Sequence, residues 1–477
     1  MKHGDEYNHL GEADKKYIWH PFTQMKDWEQ ESPLIITEGK GSFIKDSTGR
    51  WYLDGVSSLW VNIHGHRKKE IDEAIKEQID KISHSTLLGL SNVPAIKLAE
   101  KLVKMLEGLR VMDQGLASSH QQSILSPQSP ILNPRLSKVF YSDNGSTSVE
   151  VALKMAFQYW KHKGVDGKNS FLSLNNAYHG DTLGAVSVGG IDIFHEAFRP
   201  LLFKTFRAPS PYCYRCELER EYPACKMACI EKMAEILGEH GDEIAAVIIE
   251  PLVQAAGGMI VSPPGYLSAV EGVCRKYNVL LIADEVATGF GRTGRMFACE
   301  HESIVPDMIC LSKGITGGYL PLAATISTGE IYNAFLGEFK DLKTFFHGHS
   351  YTGNPLACSA ALACLTIFER EDTIKSIQPL IGILEKRLEK ISGMDHVGNV
   401  RNKGLMAGIE LVKDKKTKEP YAWEKKVGWQ VAYHARDKGV FIRPLGNVIV
   451  IMPPLSIGPD DLTMMLAVIE DAIRAVT

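Results

Sequence analysis

The sequence predicts an α/β protein: a doubly wound, mostly parallel sheet between helices, with a second, smaller α+β unit. Two observations carry this. Short apolar runs at Val139–Tyr141, Ser170–Leu174, Ala245–Glu250, Val279–Ala283 and Met308–Leu311 alternate with helical stretches, as buried parallel strands joined by crossover helices do. From about Pro355 the pattern changes to helices at Ala357–Glu369 and Ile377–Ile391, strands around Gly404–Leu411 and Val448–Met452, and a closing helix at Asp460–Ala475. The length of 477 residues leaves room for roughly two to four domains at ~100–200 residues each.

Upstream of the alternating region, Trp51–Trp60 reads as a strand and turn after the polar stretch Lys45–Arg50. Helical periodicity follows over 69–84, with Ile71, Ile75, Ile79 and Ile82 on one face. A second helix over 94–106 carries Ile96, Leu98, Leu102 and Leu106. Between Glu107 and Ser137 the pattern gives way to Gly, Ser, Gln and Pro. This reads as a mobile insertion that could be removed with little loss of activity.

Composition excludes several classes. Lys plus Arg is 53 and Asp plus Glu is 57, a net charge of -4, so no global excess drives binding to nucleic acid or an anionic membrane. The apolar runs are strand-sized, far short of the ~18–20 residues of a membrane span. The stretch Met1–Lys16 has no apolar core of a secretory signal, and a cytoplasmic protein is expected. Any phosphate-bearing ligand must then be held by a local site.

Several local sites qualify. Ser142–Glu150 lies between a strand and a helix over 147–162, so its Gly-Ser-Thr turn is either a plain cap or a phosphate cup of free amides and hydroxyls. Asp284 sits at the carboxyl end of a strand, where open α/β sheets bind ligands. Lys313 follows the next strand among glycines, and is either a solvated loop lysine or a Schiff-base lysine. Together, an acid, a lysine and a phosphate cup are the three parts that pyridoxal phosphate requires. Tyr178-His-Gly-Asp181 is at another strand end, where an aromatic ring either packs or stacks on a cofactor.

Two further motifs compete for attention. Gly289–Gly294 matches G-x-G-x-x-G, which on its own would suggest a nicotinamide oxidoreductase, yet Glu285–Thr288 separate it from its strand and no long helix follows. Cys213, Cys216, Cys225 and Cys229 are spaced as a zinc site or reversible disulfides could be, or are unligated surface thiols. The remaining cysteines sit singly among apolar neighbours.

Ser142–Glu150, Tyr178–Gly180, Ile249–Gln254, Asp284-Glu285, Lys313 and His347–Asn354, in that order, resemble the class III pyridoxal-phosphate aminotransferases of fold type I. Trp19–Met25, Gly289–His301, Ile442–Gly446 and Met452–Pro454 are similar to the branch of that class that serves biotin synthesis. The resemblance implies a seven-stranded large domain over 57–370. It implies a small domain made from both chain ends, 1–56 and 371–477. It implies amination of 8-amino-7-oxononanoate to 7,8-diaminononanoate, pyridoxal 5'-phosphate as cofactor and a homodimer.

Roles follow from the resemblance residue by residue. Lys313 would be the Schiff-base lysine and proton carrier, Asp284 the partner of the ring nitrogen, and Tyr178 the cover of the ring face. Gly145 and Ser146 would hold the phosphate, with His349 and Ser350 reaching it from the partner subunit. His179 and Gln254 would complete the cofactor site. Phe22, Leu59, Trp60, Gly348 and Arg443 would line the substrate site together with Tyr178 and Lys313, the arginine suiting a carboxylate. The donor expected is S-adenosyl-L-methionine. Members using it resemble Trp-His-Pro-Tyr and Ser-Ser-Trp-Trp, however, where this chain has Phe22 and Leu59. L-Lysine is therefore the alternative donor, and an ω-amino acid:pyruvate aminotransferase the alternative enzyme.

Overall fold

The computed structural model describes residues 3–109 and 136–477, so nearly all of the expected insertion over 107–137 lies outside the described residues. Seven strands form the central sheet: β1 (Leu136–Ser142), β2 (Ser170–Leu174), β3 (Thr205–Ala208), β4 (Ile244–Ile249), β5 (Leu280–Asp284), β6 (Met308–Leu311) and β7 (Ala323–Thr328). Their spatial order is β1-β7-β6-β5-β4-β2-β3. The pairs β2/β3, β2/β4, β4/β5 and β5/β6 are parallel, while β7 runs against both its neighbours.

Every residue of β4, β5 and β6 is buried, as expected for parallel strands covered on both faces. One cover is the helix Gly145–His162, which packs on β6 and β7. It buries Val149, Ala152, Leu153, Ala156 and Trp160, the stripe that a 3.6-residue repeat places on one side. The predicted runs match this sheet closely, with Ser170–Leu174 and Met308–Leu311 matched to the residue. The strands β3 and β7 carried no such signal. β3 is a half-buried edge strand containing Arg207, and β7 reads Ala-Ala-Thr-Ile-Ser-Thr, buried but built from small and hydroxylated side chains.

The chain ends meet in a separate sheet. Strands Ile36–Lys40, Phe43–Asp46 and Trp51–Asp54 form an antiparallel ladder, and Val440–Phe441 joins Trp51–Asp54 in parallel. A further antiparallel sheet pairs Met406–Asp414 with Val397–Lys403 and Val448–Ile451. One helix is shorter than its periodicity suggested: it ends at Ile79, where the Gln78 side chain donates to Ile82 O at 2.9 Å and turns the chain away. Among the described residues no helix is long and apolar enough to cross a membrane.

Candidate active site

The parallel strands β1, β2, β4, β5 and β6 point their carboxyl ends the same way, so the residues just beyond them converge on one side of the sheet. There the chain encloses a cavity of about 800 Å³. Its walls include Gly145, Ser146, Tyr178, His179, Glu250, Asp284 and Lys313 from the sheet side. Ser58, Leu59 and Trp60 also line it, and Phe22 and Arg443 enter from the chain-end regions.

Asp284 is buried at the last position of β5. Its Oδ1 accepts Val286 N–H at 3.1 Å, and its Oδ2 stands 2.7 Å from His179 Nδ1. The other ring nitrogen, His179 Nε2, is buried and has no partner among the described residues. Lys313 lies two residues beyond β6 with a left-handed φ of 43°, a conformation that side-chain-bearing residues hold only when their surroundings impose it. Burial pushes its pKa below the ordinary lysine value, although the carboxylates of Asp284 and Glu250 pull the other way. Its ammonium stands 5.1 Å from the centre of the Trp60 ring.

The phosphate-cup candidate is the start of the helix Gly145–His162. Asn144 caps it reciprocally with Thr147, at 3.1 Å in both directions. Gly145 and Ser146, the first two helical residues, face the cavity at the positive end of the helix. Ser146 Oγ accepts Asp181 N–H at 3.0 Å, which ties the cup to the Tyr178–Asp181 loop. A Cβ on Gly180 would stand 1.9 Å from that hydroxyl, so only glycine permits this approach.

Tyr178 donates its phenol to Asp181 Oδ2 at 2.7 Å, and burial drives its pKa up, keeping the ring neutral. Its backbone N–H donates to Glu250 Oε1 at 3.0 Å, and Ala255 N–H donates to Oε2 at 2.9 Å. Burial pushes the Glu250 carboxyl up to about 7, against the pull of nearby His179. Glu250 was quoted in the Ile249–Gln254 motif without a role. It occupies the same place after β4 that Asp284 occupies at the end of β5, and that rule would have found it. Phe194, which meets Phe22 edge-on at 5.4 Å and Tyr178 at 6.2 Å, had no such signal.

Four of the expected residues do not line this chain's cavity, two of them, His349 and Ser350, being expected at the partner subunit's site. Gln254 is buried behind the cavity wall, where its amide donates to Asn175 O at 2.9 Å and its carbonyl accepts Ser210 Oγ–H at 2.5 Å. Gly348, His349 and Ser350 are also absent from this chain's cavity wall. They precede the helix Pro355–Arg370, close to the exposed rings of Phe346 and Tyr351. The four clustered cysteines share a second, small cavity. Burial and the neighbouring Cys225 and Cys216 raise the Cys213 thiol, and burial pushes Cys229 up to about 11. All are free thiols, and among the described residues no three His, Cys, Asp or Glu side chains are arranged to hold a metal. The zinc alternative gains no support from this arrangement. Gly289–Gly294 forms a turn with no helix opening on it, so the dinucleotide reading also falls.

An acid, a lysine and a helix N-terminus around one cavity of an open α/β sheet define an enzyme that works through a phosphorylated cofactor. The aminotransferase class-III family model matches residues 24–473, and the chain belongs to that family. Adenosylmethionine-8-amino-7-oxononanoate aminotransferase of Geobacter sulfurreducens is 52% identical over 469 residues, 98% of each chain. The protein of that name from Aquifex aeolicus is 51% identical over 467 residues, covering 98% of this chain and 97% of its own. The crystal structure of the Methanocaldococcus jannaschii enzyme of that name superposes with a TM-score of 0.88 at 47% identity, over 98% of this chain and 99% of that one. The crystal structure of a thermostable ω-transaminase 6-fold mutant from Pseudomonas jessenii reaches 0.89 at 30% identity, over 98% of both.

The cofactor of this class is pyridoxal 5'-phosphate, and the residues fit it. The unpartnered His179 Nε2, the cup closed by Gly180 against Ser146, and a lysine held towards its neutral form beside a buried acid are what its ring, phosphate and aldehyde call for.

Proposed function

We propose that the protein transaminates 8-amino-7-oxononanoate to 7,8-diaminononanoate in biotin synthesis, with S-adenosyl-L-methionine as amino donor. The 52% identity to a relative of that name over 98% of both chains carries this reading. The cavity's chemistry supports it. An aliphatic chain ending in a carboxylate suits walls of Phe22, Leu59, Trp60, Leu320 and Leu322 with Arg443 among them. Relatives at about half identity bear this name, whereas the ω-transaminase structure is more distant, which places the ω-amino acid:pyruvate reading second.

Bound pyridoxal phosphate supplies the electron sink and carries the amino group between donor and acceptor. Lys313 would hold it, and its amine, lowered towards neutrality by burial, would be the group that takes and returns the proton at the amino-bearing carbon. Asp284, oriented by His179, would keep the ring nitrogen protonated. Tyr178 would cover the ring face, and Gly145 and Ser146 would bind phosphate. Gln254 acts from behind by fixing Asn175 and Ser210. Residues 57–370 carry the cofactor, and 1–56 with 371–477 form the smaller unit that delivers Phe22 and Arg443. The protein works as a cytoplasmic homodimer in which Gly348, His349 and Ser350 complete the partner's site.

Rescue of a biotin-requiring strain that lacks the diaminononanoate step tests the acceptor, and failure to rescue with soluble protein present would refute it. The donor is tested by half-reaction spectra. Loss of the cofactor band on adding S-adenosyl-L-methionine is expected. Conversion by L-lysine alone would favour lysine as the donor of the same reaction, an alternative that the phenyl ring of Phe22 supports by offering no hydroxyl to a donor.

A further inference from the structure

A group of nucleophilic side chains outside the active site takes no part in the reaction. Cys213, Cys216, Cys225 and Cys229 line one small cavity between the end of β3 and the helix Ala228–His240. All four are free thiols, Cys213 exposed and the others half-buried. The other five cysteines of the chain are buried.

Fixed elements bring the four together. The turn Cys213–Arg215 is held from outside by Glu410 of the strand Met406–Asp414, which accepts the Tyr212 phenol and, at 2.6 Å, Arg215 Nε–H. Arg215 Nη2 also donates to Lys418 O at 2.9 Å, and Lys418 Nζ donates to Tyr214 O at 2.8 Å. Across the cavity, Cys225 N–H donates to Glu221 O at 2.8 Å, closing a turn that leads into the helix carrying Cys229. Cys213 is the thiol that feels or affects all the others. After burial, Cys225 and then Cys216 raise it, and Cys213 in turn raises Cys229.

The loop between Cys213 and Cys225 carries Glu217, which reaches the back of the cofactor site. Its Oε2 accepts Asn175 Nδ2–H at 2.6 Å, and its Oε1 accepts Ser210 N–H at 3.2 Å. Asn175 and Ser210 are the two residues that hold Gln254 behind the cavity wall. Asn175 also lies three residues before Tyr178 on the same strand-end loop. Glu217 is exposed, so its two bonds compete with water, and their strength depends on how firmly the loop holds the carboxylate.

We propose that Cys213 and Cys225 are a reversible disulfide site, and that closing it tightens cofactor binding by fixing the loop that carries Glu217. The oxidant is a low-molecular-weight disulfide of the glutathione type. The exposed Cys213, as thiolate, attacks one of its sulfurs, breaks the S–S bond and releases one small thiolate, leaving a mixed disulfide. The Cys225 thiolate then attacks the Cys213 sulfur and expels the second small thiolate. Two protein thiols are oxidised to one disulfide, and one small disulfide is reduced to two thiols that take up the two protons. In a reducing compartment both cysteines stay thiols until the pool of small disulfide rises.

The test treats the holoenzyme, purified under reducing conditions, with oxidised glutathione and maps its peptides by mass spectrometry without reduction. A peptide joining Cys213 to Cys225 is expected, and dithiothreitol should reverse it. The cofactor Kd, from absorbance titration, should be about threefold lower in the oxidised protein than in the reduced one. Cys225→Ser should abolish both changes, and if that variant does not fold, Cys213→Ser removes the same bond. Glu217→Ala should keep the cross-link and lose the difference in Kd. Glutathione adducts without a protein cross-link, a link confined to other cysteines, or an equal Kd in both forms would overturn the proposal. So would one equivalent of zinc held by the four thiols in protein purified without chelator.

Discussion

The floor of the cavity takes Asp284 and the approach to Lys313 from the ends of adjacent parallel strands, where the ladder Ile282↔Met308, Ala283↔Ile309 and Asp284↔Cys310 fixes their relation. The wall takes Ser58, Leu59 and Trp60 from four left-handed residues, each costing roughly 1–2 kcal/mol over ordinary backbone. The floor is therefore placed by regular hydrogen bonding that the strands would make anyway. The wall is placed by specific buried charges working against local preference. Damage to the floor should remove chemistry while leaving binding intact, and damage to the wall should do the reverse.

The sharpest break in the floor is Lys313→Ala. Turnover should fall by about 10⁴-fold or more, because the covalent attachment and the proton carrier go together. The visible band formed on adding pyridoxal phosphate should vanish with the circular dichroism unchanged. A variant retaining a tenth of wild-type kcat would show that another group carries the proton. Asp284→Asn should be milder, at about 10²–10³-fold in kcat, since Asn keeps an oxygen for Val286 N–H but loses the charge facing the ring nitrogen and His179. If its KM for the acceptor rose instead, floor and wall would not be separable.

On the wall, Trp60→Ala should raise the KM for the acceptor by about tenfold with a smaller change in kcat, because it removes an apolar face beside Lys313. Steady-state kinetics decide it. A kcat loss larger than the KM change would move Trp60 from the wall to the floor.

The two regions also differ in how far the sequence reveals them. Strand runs such as Ile244–Ile249 are continuous apolar segments, and an acid or lysine just beyond one stands out, so Asp284 and Lys313 were legible. The antiparallel β7 was not, because Ala, Ser and Thr are buried there by neighbouring strands and not by their own hydrophobicity. The turn Ser57–Trp60 contains no glycine, so its left-handed backbone is not announced by composition. It is held by Asp54, which accepts Ser58 N–H, and by Arg292, which donates to Ser57 Oγ from more than two hundred residues away in a motif that looked like something else. The positions of Phe22 and Arg443 in the cavity came from family resemblance. No periodicity could have joined residues from opposite ends of the chain.

The smallest effect concerns the support behind the wall. His64 lies two residues beyond Asn62, whose carbonyl accepts from Arg292, and is 5% exposed. Its Nε2–H donates to Cys364 O at 3.1 Å, and its ring meets Phe368 edge-on at 4.7 Å. Burial lowers its pKa to about 4 from an ordinary 6.5. The folded protein thus holds the neutral ring, whereas the unfolded chain protonates on acidification. The stability that depends on the neutral ring is fully present above pH 6.5 and is lost as the pH falls through about 4. By pH 5 the loss from this one group is about 2 kcal/mol. Urea unfolding of wild type and His64→Gln at pH 7.5 and pH 5 measures it. The wild type should lose more stability than the variant by about that amount, whereas an equal loss in both would mean that the acid sensitivity lies in other groups and that the wall's support is not titrated by His64.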